Sequence, residues 1–102
     1  MEGLPRIGQL VYSRAGRDRG SALVVVGIQD ARHVLVSDGD LRPGRRPKLK
    51  SARHLAAGLA VHPGVAAGHA VPDAEIRAWI RAVTAGADPA APGGAGPGGD
   101  LA

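Results

Sequence analysis

The sequence predicts a mainly β fold: a small barrel of short strands, then a C-terminal helix and a disordered tail. Three observations predict it. Short apolar runs, separated by Gly- and Asp-containing turns, fill residues 7–53. A single helical stripe follows, with Ile76, Trp79, Ile80 and Val83 at i, i+3, i+4 and i+7. The last seventeen residues then hold six glycines and three prolines and have little to bury.

Residues 7–13 read as the first strand, with Leu10 and Tyr12 on one side and Gln9, Val11 and Ser13 on the other. Gly16 and Gly20 bracket the next loop and supply the backbone freedom for a tight reversal. Residues 22–28 are nearly all apolar, the pattern of a strand covered on both faces. Gln29 to Arg32 is a turn, His33 to Ser37 a third strand, and Asp38-Gly39-Asp40 a strong turn signal. Leu41 to Lys50 is extended and basic, and Pro43 and Pro47 bar it from a central strand. The last barrel strand is expected around Leu49 to Arg53. From Ala52 to Val61 the Ala-rich composition predicts a short helix, and a clearer one covers 73–85. Pro72, Asp73 and Glu75 suit the first turn of the second helix and Gly86 its stop. The expected organisation is therefore a barrel over 1–55, a helical appendage over 56–85 and a disordered Gly/Pro-rich tail over 86–102. A barrel of some fifty residues has a marginal core. The Trp79 stripe is therefore expected to dock on the barrel or on a second subunit.

Charge is unevenly placed. Residues 1–54 hold 11 of the 13 Lys and Arg and 5 of the 9 Asp and Glu, a balance of +6 that the rest of the chain lowers to +4. That asymmetry points to an anionic partner for the N-terminal half. Arginine outnumbers lysine 11 to 2 in a chain rich in Ala, Gly and Pro, as GC-rich coding produces. The placement of the arginines therefore counts for more than their number. Arg14, Arg17 and Arg19 sit on one glycine-punctuated loop; Arg42, Arg45, Arg46, Lys48, Lys50 and Arg53 form a second basic stretch. Guanidinium forks suit phosphate oxygens. Four or five such contacts predict that log affinity falls with log salt at a slope of about −3 to −4.5.

Other chemistry finds little support. There is no cysteine, and the four histidines lack a metal-ligand spacing, so no metal is expected. Asp38 and Asp40 read as turn residues; Asp18 reads as a turn cap ahead of the alternative, ion pairs that orient Arg17 and Arg19. Gly94 to Gly99 matches a dinucleotide fingerprint in letters, but no strand precedes it and no helix follows. No nucleophile–base pair is apparent, so neither an enzyme nor a cofactor is predicted. The N-terminus lacks the apolar core of a signal peptide, and no run approaches the ~20 apolar residues of a membrane span. A cytoplasmic protein with no membrane partner is the expectation.

The stretch Gly8-Gln9-Leu10-Val11-Tyr12-Ser13-Arg14-Ala15-Gly16-Arg17-Asp18-Arg19-Gly20 resembles the KOW motif, a strand–loop–strand with a key glycine in the loop. Asp38 to Arg42, Pro47 to Lys50 and Arg53-His54-Leu55 resemble a narrower group. These are small bacterial KOW-domain RNA-binding proteins related to a large-subunit ribosomal protein family of archaea and eukaryotes. Asp73 to Arg77 resembles the helix after the barrel in those proteins. The resemblance implies a single SH3-like barrel and RNA, ribosomal in the first instance, as partner. With Tyr12 as the one aromatic in the barrel region, base stacking is poorly served, and a structured RNA read through its backbone is expected. The rival expectation is a module that binds a ribosomal or transcription-machinery protein through the barrel or through the face of Ile76, Trp79, Ile80 and Val83.

Overall fold

The structure, a computed structural model, describes residues 4–40 and 43–86. Arg42 and the tail from residue 87 lie outside the described residues. The elements run β1 (Gln9–Ser13), β2 (Ala22–Ile28), β3 (His33–Ser37), β4 (Lys48–Ser51), a 3-10 turn (Ala52–His54), β5 (Leu55–Val61), α1 (Pro63–Ala66) and α2 (Asp73–Thr84). The strands form one antiparallel sheet in the order β4-β3-β2-β1-β5. The first three strands and α2 fall where periodicity places them. Pro47 stands just before β4, which is an edge strand, as the ladder chemistry of proline requires.

The helix expected over Ala52 to Val61 does not form. Three residues make a 3-10 turn, and Leu55–Val61 continue as strand β5 beside β1. The sheet therefore runs past residue 55, into the segment expected to be helical. Small side chains favour this pairing. A Cβ at Gly58 would lie 3.0 Å from Leu10 Cδ2 and 3.2 Å from its carbonyl oxygen, so β5 crosses Leu10 in close contact. Gln9 Nε2 donates to Gly58 O at 2.8 Å across the same irregularity in the ladder.

The sheet cannot be flat. Ser51 pairs with His33 on one edge and Leu55 with Ser13 near the other. Flat, those two positions would lie four strand spacings apart, about 19 Å. The four peptide units joining them span at most about 14 Å. The sheet curls until its edges approach, although no ladder joins β4 to β5 among the described residues.

Curling explains the core. Val11, Leu23, Val25, Val34, Val36 and Leu55 form one cluster, and the first, third, fourth and fifth of these are wholly inaccessible although no helix contributes to it. The sheet covers its own concave face. Alternation sends Leu10 and Val24 to the other face, where they meet Val65 of α1 and Ile76 and Trp79 of α2. Strand β2 is thus covered on both faces, as its apolar run implies. His62 fastens the helical layer. Its Nδ1 accepts from the N–H groups of Gly64 and Val65 and caps α1. The proton therefore resides on Nε2, which donates to Glu75 Oε2 of α2 at 3.1 Å. The ring meets Trp79 edge-on at 5.3 Å.

Candidate nucleic-acid interface

The β1–β2 loop is a fixed platform. Gly16 and Gly20 adopt φ of +83° and +87°, a region that side-chain-bearing residues rarely occupy. Gly20 N donates to Ser13 O at 2.8 Å, and Ser21 N to Asp18 O at 2.8 Å. Arg14, Arg17 and Arg19 all stand exposed on this platform, and none has an ion-pair partner among the described residues.

Lys50, expected to contact RNA, is instead an interior strut. It is 9% exposed, and its Nζ donates to Asp18 Oδ1 at 2.8 Å and to Ala15 O at 3.2 Å. Ser13 Oγ also reaches Asp18 Oδ1, at 3.3 Å. The ammonium and these partners hold the Asp18 carboxyl below the usual range, against a smaller opposing effect of burial. Asp18 therefore ties the loop to β4, which is more than the turn cap its sequence position suggests. The reason lies in the period of two along β4: Lys50 opposes core residue Val34 and turns inward, whereas Leu49 is 49% exposed. Lys48 shares the inward side and is half-buried opposite Val36.

The rest of the expected basic stretch divides. Arg53 is exposed on the 3-10 turn. That turn meets the loop platform where Arg14 N donates to His54 O at 2.7 Å. Arg45 and Arg46 are exposed on the β3–β4 connection, which leans on α2 instead, with Gly44 N donating to Asp73 Oδ1 at 2.9 Å. Arg45 lines a cleft of about 710 Å³ with Val71, Asp73 and Ile76. The structure thus associates Arg53 with the β1–β2 loop and assigns Arg45 and Arg46 to the helical side.

Arg32 carries a cation the sequence reading passed over as part of a turn. Its carbonyl accepts from Ala52 N at 2.8 Å, which brings the β2–β3 turn against the 3-10 turn. Only pairing between segments twenty residues apart reveals this.

The face expected to receive a protein partner is closed. Ile76 is 2% and Trp79 7% exposed, and Ile80 and Val83 pack against the same cluster, so the stripe faces the chain's own sheet. Tyr12 packs on that cluster too, and is no stacking platform. Among the described residues, no His, Cys, Asp and Glu side chains group to hold a metal ion, and no helix is long and apolar enough to cross a membrane. No protein-family model matches the chain, and no curated protein matches it significantly.

Proposed function

We propose that this chain is a non-enzymatic RNA-binding protein whose curled sheet is an SH3-like, KOW-type barrel. It reads structured RNA, ribosomal in the first instance, through the phosphate backbone, as a ribosome-associated protein of the cytoplasm. The observation that carries the reading is the exposure of Arg14, Arg17 and Arg19 on a loop braced from inside by Lys50 and Asp18. A braced loop presents these guanidiniums to phosphates without having to order its own backbone on binding. The absence of an exposed aromatic cluster favours backbone over base recognition. The test is a fluorescence-anisotropy titration of a structured ribosomal RNA fragment and an unstructured control at two salt concentrations. Tighter, steeply salt-dependent binding of the structured RNA is expected, lost on reversing the charge of the three arginines. Unchanged affinity in a folded charge-reversed variant sinks the reading.

A second reading, a docking site for a ribosomal or transcription-machinery protein on the barrel, is favoured by Leu59. This side chain is wholly exposed on edge strand β5. Leu59→Lys would then remove the protein partner and leave RNA affinity intact.

A further inference from the structure

Pairing of β3 with β4 sets the β2–β3 turn beside the 3-10 turn and creates a second basic feature that the loop arginines do not include. Arg32, His33, Ser51, Arg53 and His54 line a cleft of about 350 Å³ between the β2–β3 turn and the 3-10 turn. No acidic side chain among the described residues lines it. Its walls are fixed by backbone: Ala52 N donates to Arg32 O, His33 pairs with Ser51 across the β3–β4 ladder, and Arg14 N donates to His54 O. The nearby carboxylate is already engaged. Asp30 Oδ1 accepts from Arg32 N at 2.8 Å and bonds His33 Nδ1 at 2.8 Å. The Arg32 and Arg53 guanidiniums are exposed, and neither is paired among the described residues.

We propose that this cleft is a phosphate-binding subsite in which Arg32 and Arg53 grip one phosphodiester of the RNA backbone from two sides. The inference rests on the RNA-binding reading and adds a path to it. The strand passes from the β1–β2 loop over the 3-10 turn to the β2–β3 turn, and away from Arg45 and Arg46. Two guanidiniums brought to one cleft from separate segments suit the oxygens of a phosphate better than two lone surface charges would. The Ser51 hydroxyl adds a neutral donor in the same cleft.

The experiment compares Arg32→Gln/Arg53→Gln with Arg45→Gln/Arg46→Gln on the structured RNA fragment, across a salt series, with circular dichroism to confirm folding. The first variant is expected to lose about tenfold or more in affinity, with a salt slope shallower by about 1, the share of one phosphate. The second should stay near wild type. Equal affinity and slope for wild type and the Arg32/Arg53 variant overturns the subsite while the RNA reading stands, provided that loop charge reversal still abolishes binding. A larger loss in the Arg45/Arg46 variant also overturns it. A wild-type protein that binds no RNA ends both readings together.

Discussion

Lys50 of β4 and Asp18 of the β1–β2 loop form an ion pair at 2.8 Å, 32 residues apart in sequence, with the lysine almost out of solvent. The pair converts a glycine-containing loop into a rigid mount for three outward arginines. It also leaves Asp18 Oδ2 buried without a partner, so the carboxylate relies on Lys50 and Ser13 for its compensation. In a chain with so little core, a polar strut of this kind matters to the shape of the loop.

Replacing Lys50 by Met keeps its aliphatic stem and removes the ammonium. The variant should lose about 1–3 kcal/mol, because Asp18 is then left with a weaker set of donors. Urea denaturation measures the loss, and amide exchange should show the loop opening ahead of β1 and β2. A denaturation midpoint equal to that of wild type would contradict the strut.

Acid should release the same brace. The folded carboxyl of Asp18 lies below its ordinary value of 3.8, chiefly through Lys50. Asp30 is lowered too, chiefly through the Arg32 N–H and then His33. Groups depressed in the folded state add stability that is fully present above the unfolded value and fades as pH falls through the folded one. Stability should therefore decline as pH drops below about 4. The stability gap between wild type and Asp18→Asn, large near neutrality, should narrow over that window. Urea midpoints between pH 6 and pH 2 test this, and a gap that stays constant rules it out.

Trp79 is the largest side chain between α2 and the sheet. Trp79→Ala should cost about 3–5 kcal/mol, enough to threaten folding in a domain of this size. Trp79→Phe should cost less, since the indole N–H that it removes has no hydrogen-bond partner. Circular dichroism must follow the unfolding, because the chain holds one tryptophan. Little destabilisation in Trp79→Ala would mean that the stripe serves an outside partner after all.

Periodicity and turn chemistry by themselves determined much of this protein. Alternation marks β1 and β3, an unbroken apolar run marks β2, and the 3.6-residue stripe with acids in its first turn marks α2. Gly16 and Gly20 are legible because only a left-handed backbone calls for glycine at both ends of a short reversal. These signals are local, and local signals survive without a fold. The tertiary structure decided the rest. Leu55–Val61 reads as helix by its alanines, yet pairing with β1 and close passage over Leu10 make it a strand. Lys50 and Arg53 look alike in a basic run, but the pleat turns Lys50 inward while the 3-10 turn holds Arg53 out. Ile76 and Trp79 give one amphipathic face whose partner, the sheet or another protein, no periodicity can name. Arg32 and Arg53 share a cleft because β3 pairs with β4, which sets segments twenty residues apart side by side. Pairing and curvature are properties of the whole set of strands, and no short window of sequence contains them.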